Sequence, residues 1–407
     1  MTQRLGGYAV FAGALAAAGL PIYIHAPKFY VDTYGVSLGS LGAMLFALRL
    51  IDVVQDPLFG KLSGALGAKR GQAVALGVFG MCAGMIGLFA ISPPIDPLWW
   101  FALMLTLVFS SFSFLNIAFY ATGVVKAAQL PGQGHLRLAR WRETGALLGV
   151  CLASLLPSVM QAFGVAPFVG FALAFSAVCI IAAIFMRHEW RVAAAVPSTG
   201  FQYVLRDPLA RRLLLIALLN AAPVAVSSTL FLFFVESRLE APGWEGALLL
   251  FFFLAAAVAA PVWGLLAERY GAKRVLMAAM VLAIVAFGGA LALGPGDVVF
   301  FGLICFASGA ALGADMTLLP AMFARRLAKV APGASEGFAL WSFVSKFTLA
   351  FAAVALLPLL EMQGFETGTQ NPASALTWLS MLYAGVPCLL KLVAIALLAA
   401  TPINEEP

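Results

Sequence analysis

Apolar and polar positions alternate along this chain on a long scale. Twelve apolar runs lie near residues 8–26, 38–63, 72–92, 98–126, 143–161, 167–187, 209–235, 245–266, 274–294, 298–324, 336–360 and 374–400, separated by short charged or glycine-bearing junctions. A run of roughly 18 to 28 residues is long enough for a helix to cross the hydrocarbon core of a bilayer. The pattern predicts an all-α membrane protein with twelve transmembrane helices. The least polar junction is "PSVMQAFGVAP", between the fifth and sixth runs. The most polar is "RHEWRVAAAVPSTGFQYVLRDPLARR", residues 187–212, which divides the runs six and six. It predicts an N-terminal half at 1–190, a linker at 191–208 and a C-terminal half at 209–407.

An internal repeat supports this division. "GKLSGALGAKR" at 60–70 and "GLLAERYGAKR" at 264–274 match at an offset of 204 residues, each between the second and third run of its half. The glycines predict a tight turn and close helix approach, and the Lys-Arg pair predicts an anchor in the headgroups. The two halves therefore read as six-helix pseudo-repeats.

Composition removes other classes. Of 407 residues, 63% are hydrophobic and 10% charged, whereas about a quarter of a soluble protein is charged. The net charge of +6 gains meaning from its distribution. With both termini on one side, that side carries 19 of the 24 Lys and Arg, the other only Lys28 and Arg238, and Arg49, Lys346 and Lys391 lie within runs. By the positive-inside rule both termini are cytoplasmic, and the expected location is a plasma membrane, a bacterial inner membrane. No basic run interleaved with aromatics points to nucleic acid. The apolar run after Arg4 continues through Ile24, so it reads as a spanning helix rather than a cleaved signal. All five cysteines fall in apolar runs and read as packing residues.

Charge inside a run is where chemistry is expected. In "ALRLIDVVQDPLFGKL" (47–62), Arg49, Asp52 and Asp56 share one helix face, with Gln55 beside them. Each charge at bilayer depth costs about 2.5–3.5 kcal/mol even on the lenient insertion scale, so this face looks into protein or water. Two carboxylates about 6 Å apart repel by roughly 3 kcal/mol at an effective dielectric near 20. They require a proton, a metal cation or a basic neighbour. Pro57 frees the Val53 carbonyl beside them. Two readings stand: a fixed ion-pair network with Arg49 and Lys346, or a site that a cation visits.

"RLIDVVQDPLFG" resembles the Arg-x-x-Asp-x-x-x-Asp-Pro-x-x-Gly signature of the glycoside–pentoside–hexuronide:cation symporters, the melibiose permease-like family of the major facilitator superfamily. "LLPAMFA" and "SEGFALWSFVSKFTLA" are similar to that family's tenth and eleventh helices, and the repeated junction resembles the superfamily's short loop, with its acid kept at Glu268 and replaced by Gly64. The resemblance implies a major facilitator fold with substrate bound at mid-depth between the halves. It implies a cation site of Asp52, Asp56, Gln55 and Ser113, with Lys346 and Arg49 as counter-charges. The coupling ion is then Na+ or H+, with no other cofactor and no metal beyond a sodium ion at Asp52 and Asp56. Lys346 also has a plainer reading, as a lysine snorkelling to the interface.

For substrate, the resemblance implies Asn116, Tyr120 and Arg142. Asn116 replaces an acid, the first run has no acid at all, and the tenth-helix acids give way to Ala324, Arg325 and Arg326. These departures favour an anionic or amphiphilic solute over a simple galactoside, with Arg49 and Arg142 as anion forks.

Asp315 lies among Gly309, Ala310, Ala311, Gly313 and Ala314, small enough for a neighbouring helix to close in and bury it against a cation such as Lys391. It reads equally as structural or substrate-facing. Trp341 reads as cavity lining or as packing. Glu143 and Glu336 read as first-turn partners of helix dipoles. His25, His135 and His188 have no second ligand at metal spacing.

The expected function is secondary active transport by alternating access, with cation-coupled symport of a small organic solute, whether sugar, glycoside or organic anion. The alternative is proton-driven efflux or uniport of an amphiphilic or lipid-like substrate. A non-transporting sensor or scaffold is a more distant reading. The runs carry no nucleophile–base or metalloprotease signature, so an enzyme is not expected. Expected partners are the small-molecule substrate and membrane lipid, with the chain functional as a monomer.

Overall fold

The computed structural model describes residues 5–19, 26–193, 200–332, 334–365 and 371–403, excluding some side chains, among them that of Arg49. Within these residues every regular element is a helix. In chain order they are α1 (Gly6–Ala17), α2 (Ala26–Tyr34), α3 (Leu38–Ala65), α4 (Arg70–Phe89), α5 (Pro97–Ala128), α6 (Gly134–Ala162), α7 (Pro167–Ala193), α8 (Phe201–Arg206), α9 (Pro208–Phe233), α10 (Glu245–Tyr270), α11 (Ala272–Ala290), α12 (Val298–Val330), α13 (Ser335–Glu361), α14 (Ala373–Ser380) and α15 (Val386–Ala399). A π-helical turn, Phe234–Arg238, extends α9, and another, Met381–Gly385, joins α14 to α15.

Among the described residues nine helices are long and apolar enough to cross a membrane. The expected runs at 38–63 and 336–360 fall on α3 and α13, and the first, 8–26, on α1 as far as Ala17, with residues 20–25 outside the described residues. Two elements differ from expectation. Residues 27–34, expected as a junction, lie in α2, held by aromatic contacts such as Phe29–Phe89 at 5.7 Å and Tyr30–Phe101 at 4.9 Å. The fifth run begins nine residues early, because Leu136, Leu138 and Ala139 bury one side of a helix whose other side is polar. Glu143 therefore lies in the third turn of α6 and is no first-turn dipole partner, whereas Glu336 does occupy the first turn of α13.

The chain divides into two compact units, Met1–Asp207 with Ala324–Phe343, and Pro208–Phe323 with Val344–Pro407. In the first, α1 packs on α6 backbone to backbone. A Cβ on Gly145 would sit 2.2 Å from the Ala9 carbonyl oxygen, and one on Gly149 2.3 Å from that of Gly13. In the second, an aromatic core forms around Tyr383, stacked on Phe234 at 4.2 Å. The cysteines are unpaired thiols, four of them buried.

The repeated junction turns at matched glycines, Gly67 with φ +48° and Gly271 with φ +90°, where a side chain would be strained. The basic pair behaves differently in the two copies. Lys69 and Arg274 are exposed, and Lys273 donates to the carbonyls of Ala399 and Thr401 at 2.9 and 2.8 Å. Arg70 is buried rather than in the headgroups, because its guanidinium folds under α3 and donates to the Ser63 carbonyl at 2.9 Å and the Ser335 hydroxyl at 3.4 Å.

Candidate functional site

α3 shows two opposite faces. Val54 and Leu58 are 67% and 61% exposed, fit for lipid, whereas Asp52 and Asp56 are buried. Its first turn is capped by Ser37, whose hydroxyl accepts the Ser40 N–H at 3.2 Å. The two acids meet polar side chains of their own helix and of α5. The Gln55 amide donates to Asp52 Oδ1 at 2.9 Å, and Ser110 donates to Gln55 Oε1 at 2.9 Å. Ser113, buried, donates to Asp56 Oδ1. Gln55, Ser113 and both acids thus converge as the sequence suggested. Ser110 was not anticipated, although it lies three residues before Ser113 and so on the same face of α5.

That face continues. Ser113, Asn116 and Tyr120 are spaced i, i+3 and i+7, so they line one stripe about 10 Å long. Asn116 is half-buried midway along it. Tyr120, at its end, donates its hydroxyl to Glu143 Oε1 at 3.0 Å. The same oxygen accepts Arg142 Nε at 2.6 Å, and the Arg142 guanidinium lies over the Tyr120 ring, 3.8 Å from its centroid. The Phe338 ring also packs on Tyr120, with centroids 4.9 Å apart. Arg142 is only 4% exposed, and its Nη2 has no hydrogen-bond partner among the described residues. Glu143 is the residue the sequence reading misplaced, since a polar helix start hid its depth.

In the second unit, buried Lys391 donates to Asp315 and to Asn220, all three on different helices. The close approach expected around Asp315 is made by α10, since a Cβ on Gly309 would lie 2.2 Å from the Phe252 carbonyl oxygen. Lys346 is half-buried on α13 in the second unit, and Trp341 is half-buried on α13 in the first. Among the described residues no three His, Cys, Asp or Glu side chains converge as a metal site.

A family model described as MFS/sugar transport protein matches residues 6–405. The chain belongs to that family. It is a major facilitator superfamily transporter, an integral multi-pass membrane protein and not an enzyme. No curated protein matches its sequence significantly.

Solved major facilitator structures share the family fold. A bacterial homologue of the iron transporter ferroportin, in an outward-facing state, superposes with a TM-score of 0.70 at 15% identity over 97% of this chain and 99% of its own. The same homologue with soaked iron gives 0.72 at 16% over 98% and 99%. The human organic anion transporter MFSD10 (TETRAN) gives 0.62 at 18% over 98% and 100%. At these identities the likeness concerns the fold alone.

Proposed function

We propose that this chain is a cation-coupled symporter of the glycoside–pentoside–hexuronide type, working by alternating access in a bacterial inner membrane. Asp52 and Asp56 hold the coupling cation, Na+ or H+, with Gln55 and Ser113 completing an oxygen-rich shell. Asn116, Tyr120 and Arg142 contact the substrate. Lys346 and Arg49 serve as counter-charges, and Trp341 lines the substrate path.

The observation that carries this reading is the α5 stripe. Ser113 at one end holds Asp56, and Tyr120 at the other holds the Arg142–Glu143 pair. One rigid helix face therefore bears on both ligands, so a shift of Ser113 on cation binding is transmitted to Tyr120. Transport coupling needs this kind of differential contact in each state.

The substrate class follows from Arg142. A buried guanidinium backed by an aromatic ring, with one nitrogen unpartnered, suits a carboxylate or other anion better than a neutral galactoside. Reconstituted vesicles test both parts. A hexuronate or another organic anion should accumulate under a sodium or proton gradient, and Asp56→Cys should abolish accumulation while leaving the fold intact. Gradient-driven accumulation unchanged by Asp56→Cys contradicts the cation site, and melibiose uptake at the rate of the anion contradicts the substrate class. Outward flux driven only by protons favours the alternative, efflux of an amphiphile.

A further inference from the structure

The cluster in the second unit is not needed for the coupling just proposed, yet it is built like a working site. Asn220 on α9, Asp315 on α12 and Lys391 on α15 are 5%, 8% and 4% exposed, and the Lys391 ammonium donates to the Asp315 and Asn220 side chains. Asp315 Oδ2 takes the ammonium, while Oδ1 is buried without a hydrogen-bond partner among the described residues.

All three helices carry a proline close by. Pro223 follows Asn220, Pro320 follows Asp315, and Pro387 precedes Lys391 just after the π-helical turn at Met381–Gly385. Each proline removes one N–H from its helix ladder. Carbonyls freed in this way at membrane depth are tolerated where the backbone lines a site or is sealed by protein, and π-helical turns occur often at functional positions.

We infer that Lys391 is the receptor of a proton-linked monocarboxylate site, with Asp315 as its internal counter-anion. In the resting pair the charges cancel. A proton adds to Asp315 Oδ1, making a neutral carboxylic acid. Lys391 keeps Asn220 and turns its released N–H to the incoming carboxylate, so the buried site again carries no net charge. One proton and one monovalent anion thus enter together. A divalent anion would leave an uncompensated charge in a low-dielectric interior. An alkali cation would have to displace a tethered ammonium from the same carboxylate.

The described neighbours of Asp315 are consistent with a single titrating acid. On α9 the charges are Arg211 and Arg212, on α10 Glu245, Glu268 and Arg269, and on α11 Lys273 and Arg274, all toward the helix ends; the π-helical turn before α15 adds the phenol of Tyr383, and α12 itself carries Cys305 and, ten or more residues from Asp315, Arg325, Arg326 and Lys329. α15 contributes Lys391.

The inference does not rest on the reading of Asp52 and Asp56, and its test is made free of sodium. The purified chain in lightly buffered choline solution receives choline formate, acetate, lactate or benzoate while proton uptake is followed with an indicator dye. At least one salt should drive uptake of about one proton per chain, with affinity about tenfold tighter for each pH unit lowered from about 8 to 6. Lys391→Met should abolish uptake. Asp315→Asn should bind the same anion, read as a thermal shift, with no proton uptake and no pH dependence. If none of the four salts elicits uptake by the unmodified chain, or if Asp315→Asn takes up the proton as before, the inference fails. The first of these outcomes needs no variant to fold.

Discussion

Two buried acidic clusters in this molecule are built differently. In the second unit one carboxylate faces one lysine, so charge balance is built from the chain's own side chains. In the first unit two carboxylates lie on consecutive turns of α3, and their contacts include the Gln55 amide and the Ser113 hydroxyl. The comparison teaches how one fold assigns different tasks to buried acids. A tethered ammonium makes a closed pair, which by the inference above a proton opens, whereas the doubled carboxylate of α3 is the site proposed above for a small mobile cation.

Removing a charge should separate the two most strongly. Lys391→Met leaves Asp315 buried without its cation and should cost about 3–5 kcal/mol, seen as a large fall in the thermal midpoint of the purified chain. Adding Asp315→Asn should recover most of that loss, since replacing a buried pair as a whole is close to neutral. If the single variant is as stable as the unmodified chain, the closed-pair description is broken. At the other cluster, Ser113→Ala removes a hydrogen bond to a buried carboxylate, worth about 1.5–3 kcal/mol. It should weaken cation binding about tenfold or more, measured as cation-dependent thermal stabilisation.

Smaller effects sharpen the picture. Arg142→Lys keeps the charge but loses the planar stack on Tyr120, about 0.5–2 kcal/mol. It should raise the half-saturating concentration of an anionic substrate while leaving cation affinity unchanged. Ser110→Ala touches the acids only through Gln55, so about 0.5–1.5 kcal/mol is expected. Its effect on cation affinity should be smaller than that of Ser113→Ala, and the reverse order would reassign the donor that matters.

The legible part of this architecture was whatever rests on long-range pattern. Apolar runs gave the helices, and the repeated junction gave matched turns at Gly67 and Gly271. Spacing on α3 put Asp52 and Asp56 on one buried face, and the small residues around Asp315 were indeed where α10 closes in. What escaped notice depended on depth and on partners from other helices. Arg70 was read as a headgroup anchor because a terminal Lys-Arg pair looks alike whether its side chain points to solvent or folds back beneath α3. Glu143 was placed at a helix start because His135–Arg142 looks like a loop, although that stretch is amphipathic. Asn220 is a lone amide in an apolar run, and only the position of Lys391 on another helix gives it meaning.

The central claim is that the α3 carboxylates hold a cation whose binding is felt at Tyr120 and Arg142 through one face of α5. Its most direct test is a reciprocal titration on the purified chain, with sodium, lithium and pH varied against the best anionic ligand in a thermal-stability assay. The account predicts that cation and anion tighten each other's binding by the same factor, and that Asp56→Asn removes this linkage. Independent binding of the two, or linkage that survives Asp56→Asn unchanged, would contradict it.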